Sequence, residues 1–139
     1  MEVGWREWVS LPDLGVRRIK AKLDTGARSS AIHVVSWELV EGSEPPRVRF
    51  VLAPVQNDDE TLVEAEAPLA DRRRVRSSSG AAQLRPVIIT TLEMAGERWP
   101  MELTLARRPR LRFRMLLGRQ ALRSRVLLDP AGSFLLGRP

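Results

Sequence analysis

Apolar residues recur at every second position through much of this 139-residue chain. A period of two commits a backbone to strands, because alternate side chains then share one face. In "RVRFVLAP" Val48, Phe50 and Leu52 alternate with Arg47, Arg49 and Val51. "VGWREWVSL", which carries Trp5 and Trp8, and "VRRIKAKLD" flank "PDLG" (Pro12 to Gly15) and read as a hairpin. Pro presets the first φ of that bend, and Asp and Gly suit the rest. "SSAIHVVSWELV", "TLVEAEAPL" and "RLRFRMLL" read as further strands, and "RPVIITTLEM" and "RWPMELTLA" pair across the turn "AGE". "RVLLD" and "SFLLG" read as a last hairpin across "PAG". "EGSEPP" and "QNDDE" are breakers. "GRQALRS" is the one credible helix, of roughly two turns. The expectation is a single all-β domain over residues 1–139, closed like a barrel, with one short C-terminal helix.

Hydrophobic residues make up 43% of the chain and charged residues 29%, ordinary for a globular domain. No apolar run is long enough to cross a bilayer, and "MEVGWREW" does not read as a leader, so no membrane role and a cytoplasmic location are expected. Cysteine is absent, which removes disulfides and thiolate metal ligands. The net charge of +6 is carried by Arg, since Lys occurs only at positions 20 and 22. An acid-free, Arg-rich stretch runs from Leu103 to Leu128. Excess positive charge attracts nucleic acid, anionic membrane or acidic protein. With no Tyr and 3 Phe, a stacking platform for single-stranded nucleic acid is poorly supplied, and no nucleic-acid partner is expected.

The chemistry-bearing residues are few. His33 is the only histidine, no nucleophile elbow surrounds any Ser, and the helical His-Glu-x-x-His metal motif is missing. His33 reads first as a partly buried strand residue and second as a pocket wall near Asp24. No metal or other cofactor is expected. What remains is "IKAKLDTGARSSAIH". Ile19, Ala21 and Leu23 alternate with Lys20 and Lys22, and the strand ends in Asp24-Thr25-Gly26-Ala27, a carboxylate on tightly turning backbone. Far along the chain "MLLGRQAL" runs from apolar residues through Gly118-Arg119 into the short helix.

With "VGWREWVSLPDLGV" and "VRSSSG…LRPVI", these strings resemble, across nearly the whole chain, the retropepsin-like aspartic proteases of bacteria and archaea. That family has long been labelled ATP-dependent zinc proteases. The resemblance implies two carboxylates sharing one proton around an attacking water. With one Asp-Thr-Gly per chain, it implies a homodimer in which Asp24 meets its mate at a two-fold axis. Thr25 would brace the two loops across that axis, and Gly26 would allow the turn and offer its backbone to substrate. Arg72 to Gln83 is the implied flap, with Ser77, Ser78, Ser79 and Gly80 at its tip. Gly118 and Arg119 are implied supports, Gly118 letting the helix pack closely and Arg119 anchoring a nearby carbonyl or carboxylate. Ala27 and Arg28 are implied to touch substrate. Viral members carry an acid where this chain has Arg28, and a cation there suits a substrate carboxylate instead. Viral members also end in an interface strand, for which "SFLLG" (Ser133 to Gly137) is the candidate.

The implied activity is homodimeric aspartic endopeptidase action on a peptide or protein. An acidic polypeptide is one substrate the resemblance suggests, because such proteins are found beside ATP-grasp ligases that add glutamate. Two alternatives stand. One is a non-catalytic module on the same fold, gripping acidic tails through Arg28 and a strand face bearing Arg110, Arg112 and Arg114. The other is a metallopeptidase using His33.

Overall fold

The computed structural model describes residues 1–76, 80, 82–107 and 112–137. It is mostly β-sheet with one short helix. The strands are β1 (Glu2–Gly4), β2 (Arg6–Leu11), β3 (Val16–Asp24), β4 (Ser30–Leu39), β5 (Arg47–Leu52), β6 (Val63–Arg76), β7 (Ala82–Met94), β8 (Glu97–Ala106), β9 (Met115–Gly118) and β10 (Leu127–Asp129). The helix α1 is Arg119–Leu122.

Eight strands form one sheet in the order β2-β3-β9-β4-β5-β6-β7-β8. The sheet returns on itself, because β8 also pairs in parallel with the first half of β4, and β2 meets β7 at Ser10 and Glu93. Period-two alternation explains why the curved sheet has an inside. Ile19, Ala21 and Leu23 of β3 are buried, as are Val48, Phe50 and Leu52 of β5, and they join Ile32, Ile88, Leu92, Leu103, Leu105, Met115 and Leu117 in one core. The β7–β8 turn is Ala95-Gly96 with φ of 51° and 80°. Two positive φ values in a two-residue loop match the right-handed twist of the flanking strands.

The placement of β9 matters most for function. It lies between β3 and β4, parallel to the first and antiparallel to the second. Asp24 stands in register with Gly118, and Ala21 with Met115.

Several local expectations are corrected. The first strand breaks at Trp5, because β1 leaves β2 to pair in parallel with β10. "PDLG" is the expected turn between antiparallel β2 and β3, a single 3-10 turn capped by Gly15 at φ 73°. "SFLLG" is not a strand and does not pair with "RVLLD". It is a turning segment clamped to β2: the buried Glu7 carboxylate accepts N–H groups from Gly4 (2.7 Å), Leu135 (2.9 Å) and Leu136 (3.1 Å). The N–H groups of Phe134, Leu135, Leu136 and Gly137 are all donated within the chain, so the segment is not the expected strand. The helix has one turn rather than two. The polar stretch from Arg72 is regular strand on both arms, with Arg76 opposite Ala82. No helix among the described residues is long and apolar enough to cross a membrane.

Candidate active site

Asp24 is the last residue of β3, half-buried, with Thr25, Gly26 and Arg28 exposed beyond it. The loop after it turns at once, as the Ala27 N–H donates to the Asp24 carbonyl at 3.2 Å. The Gly26 N–H donates to Asp24 Oδ1 at 2.9 Å, which fixes the carboxylate against its own loop. A Cβ on Gly26 would sit 3.1 Å from that oxygen, so the turn is close-fitting at this residue.

The far side of the loop is held by the β9–α1 junction. The helix has no side-chain N-cap, and its first N–H groups would otherwise lack partners. Instead Arg119 N donates to the Ala27 carbonyl at 2.8 Å and Gln120 N to the Arg28 carbonyl at 3.1 Å. Arg119 Nη1 reaches the Gly26 carbonyl at 3.4 Å, a long and weak contact. Gly118 N donates to the buried Ser30 Oγ at 3.0 Å. Gly118 must lack a side chain, because a Cβ would lie 2.6 Å from the Ser29 carbonyl carbon and 2.9 Å from the Ala27 oxygen. The backbone of residues 24–30 is thus bolted to that of residues 118–120. Asp24, Thr25, Gly26, Ala27, Arg28, Gly118 and Arg119 come together in one constellation.

Other candidates lie elsewhere. The β6–β7 hairpin has Gly80 in a left-handed conformation at φ 85°, while Ser77, Ser78 and Ser79 fall outside the described residues. His33 is buried on β4, and its N–H donates to the Arg114 carbonyl, at the opposite end of β9 from Gly118. Four residues of strand, roughly 13 Å, separate the two ends, so His33 is not a wall of the Asp24 site. Burial holds the His33 imidazole below its ordinary pKa, and the Arg114 guanidinium lowers it further.

The expected stripe of Arg110, Arg112 and Arg114 on one strand face does not form. Residues 112–114 are bends, Arg110 falls outside the described residues, and Arg114 is 4% exposed. Its Nη2 pairs with Asp59 at 2.8 Å, so it is a structural cation. Among the described residues no three His, Asp or Glu side chains are grouped so that they could hold a metal ion.

Sequence reasoning missed Ser30, whose Oγ is revealed as a partner only by the register of β9. It placed Lys20 and Lys22 in the strand that ends in Asp24 but did not read them, with Arg18, as a row of cations on its outer face.

A model of the RimB-like family, described as retropepsin-like aspartic endopeptidase RimB, matches residues 2–139. Among curated proteins, the chain is 42% identical over 135 residues to a probable alpha-L-glutamate ligase of Shewanella pealeana, covering 97% of this chain and 30% of that protein. It is 43% identical over 135 residues to a probable alpha-L-glutamate ligase of Parasynechococcus marenigrum, covering 97% of this chain and 29% of that one. The chain therefore spans less than a third of the length of these relatives. Among solved structures it resembles Lpg0085 of Legionella pneumophila, a protein described as of unknown function (DUF785). That match has a TM-score of 0.78 and 25% identity, and covers 96% of this chain and 95% of the other. With the Asp-Thr-Gly loop locked to its Gly-Arg partner and the family match running from residue 2 to residue 139, the chain belongs to the RimB-like family of retropepsin-like proteins.

Proposed function

We propose that the chain is an aspartic endopeptidase that works as a pair of copies and cuts acidic, glutamate-rich polypeptides. One observation carries the reading. Asp24 is held at the tip of β3 with Oδ1 fixed by the Gly26 N–H, and among the described residues Oδ2 has no hydrogen-bond partner. A single fixed carboxylate can take a proton from water but cannot also give one to the substrate. A second copy supplies the missing group. Two carboxylates at close range cannot both ionise, so one stays protonated.

The ionised Asp24 takes a proton from the water, whose oxygen attacks the peptide carbonyl carbon. The protonated Asp24 gives its proton to the carbonyl oxygen, forming a gem-diol. Collapse of the diol breaks the C–N bond as the departing nitrogen is protonated. The ring of strand pairings is read as the closed retropepsin barrel, and the β6–β7 hairpin as the flap over the cleft.

Arg28 and Arg119 beside Asp24 support an acidic substrate, since neither has a carboxylate partner among the described residues. The names of the relatives also support it: a domain found within proteins named as alpha-L-glutamate ligases fits a glutamate-rich chain as its target.

The test is hydrolysis of oligo-α-glutamate and of a glutamate-tailed peptide, followed by mass spectrometry. Asp24→Asn should lower the rate by at least about a thousandfold without unfolding the protein, as losing an essential acid–base pair requires. Mixing wild type with excess Asp24→Asn should suppress activity through heterodimers. Full activity in Asp24→Asn would overturn the proposal, and binding without cutting would leave a peptide-binding module on the same fold.

A further inference from the structure

The outer face of β3 carries a row of cations that the catalytic loop does not use. Lys20 lies opposite Trp8 of β2, and Lys22 opposite Arg6. Both pairs are on the face away from Ile19, Ala21 and Leu23, which are buried. The Arg18 guanidinium stands over the Trp8 ring at 5.3 Å, which places it on the same face despite the irregular register near Val9. Asp24 follows Lys22 by two residues in the same strand, so the row Arg18, Lys20, Lys22 runs toward the candidate catalytic carboxylate.

Two further features separate this row from an ordinary solvated surface. First, it is uncompensated. Arg47, Arg49, Arg73, Arg98 and Arg114 each pair with a carboxylate, whereas among the described residues Arg6, Arg17, Arg28, Arg119, Arg123 and Arg125 do not, so what marks the row is that its unpaired cations share one strand face. Among the described residues Arg18, Lys20 and Lys22 pair with none, and the chain's only two lysines are both here. Second, the row has a built flank. Trp8 and Phe134 stack with centroids 6.0 Å apart, and Lys20 Nζ lies 5.4 Å from the Trp8 ring. Arg6 sits 4.8 Å from Trp5 and 4.9 Å from Phe134. A concavity of about 300 Å³ opens between Trp8, Lys20, Phe134 and Gly137. Ring faces hold the cations in place and offer apolar surface to the methylenes of a glutamate side chain.

An extended peptide repeats its side-chain direction every two residues, about 6.6 Å, the same spacing as alternate residues of β3. We infer that the outer face of β3 is a docking track for the acidic stretch of the substrate, with Lys22, Lys20 and Arg18 meeting carboxylates on alternate residues beyond the scissile bond. The inference rests on the proposed acidic substrate and adds where that substrate lies outside the cleft. From Asp24 to Arg18 the track is about 20 Å long, so it takes about six substrate residues to fill it.

The test is binding rather than cutting, which separates it from the test of the activity. Fluorescein-labelled oligo-α-glutamates of three and twelve residues are titrated into Asp24→Asn protein by anisotropy. The twelve-residue peptide should bind more tightly than the three-residue one. Adding Arg18→Gln and Lys20→Gln should weaken the longer peptide about tenfold and reduce its salt dependence, as loss of two contact charges requires. Arg49→Gln on β5 should change nothing. On unaltered protein, the twelve-residue peptide should shift the Lys20 and Lys22 amide resonances and the Trp8 indole N–H. Equal affinity with and without the two substitutions, no length dependence, or no measurable binding by the parent protein would overturn the track. None of these results decides whether Asp24 cuts.

Discussion

Glu7→Gln isolates the device that ties the C-terminal segment to the body of the protein. Glu7 is fully buried, and its Oε2 accepts from Gly4 and Leu135 while Oε1 accepts from Leu136. A glutamine can place its oxygen where Oε2 was and keep two of these bonds, but its amide then faces the Leu136 N–H, donor against donor. One charge-assisted hydrogen bond is lost at roughly 1.5–3 kcal/mol, and the other two weaken from charged to neutral. The neutral amide is easier to bury, which offsets part of the loss. The net cost should be about 2 kcal/mol, a large fraction of the stability of a domain this size. Urea unfolding at pH 7 reads the total, and amide hydrogen exchange reads the location. Exchange should rise at Leu135 and Leu136 well before it rises at core residues such as Ile19 and Leu105. A stability loss under about 0.5 kcal/mol, or unchanged exchange at Leu136, would refute the reasoning. Because Phe134 stacks on Trp8 in the same segment, the variant should also loosen the aromatic flank of the β3 track.

Two further outcomes follow from the geometry. Gly118→Ala puts a Cβ 2.6 Å from the Ser29 carbonyl carbon, so the Asp24 loop must move away from β9. The expected cost is about 1–3 kcal/mol with a loss of hydrolysis larger than that of stability, read by urea unfolding and peptide cleavage, and an unchanged rate would refute it. His33 has a folded pKa below 6.5, through burial first and Arg114 second. Below about pH 6.5 the unfolded chain therefore binds more protons than the folded one, so stability is present above that pH and falls as pH drops through the window beneath it. His33→Gln should flatten the stability profile below about pH 6.5 in denaturant titrations, and an unaltered slope would refute the assignment.

Much of this was legible in the amino-acid order because period-two alternation is a local signal. β5 and the second half of β3 follow it residue by residue, whereas β7 at Val87–Ile88 and β8 at Leu103–Ala106 are buried on both faces, which alternation does not announce. The Asp24 strand tip and the Gly118-Arg119 junction could each be found by eye. Their pairing could not, because a parallel register between distant strands leaves no local trace. The Arg112–Arg114 error has a similar cause. Arg-Phe-Arg-Met alternates like a strand, but the pairing with Asp59 draws Arg114 inward, and that partner lies 55 residues away. "SFLLG" looked like a strand because it is apolar. A carboxylate on β2 collects its N–H groups instead, and nothing in the five residues themselves announces that.

The insertion of β9 between two strands that are neighbours in sequence also sets an order of events in time. Asp24 and Gly118 are 94 positions apart (118 − 24), and their contact closes a loop of that length. The entropy of such a closure is about 4 kcal/mol by the logarithmic rule, and nothing local offsets it. The hairpins β2–β3, β6–β7 and β7–β8 can form early from nearby residues, whereas the floor beneath the Asp24 loop waits for nearly the entire chain. During refolding, bulk β-sheet signal should therefore return before the ability to bind or cut a peptide. A chain released before its Gly118 segment has emerged would hold a well-ordered sheet and no working site.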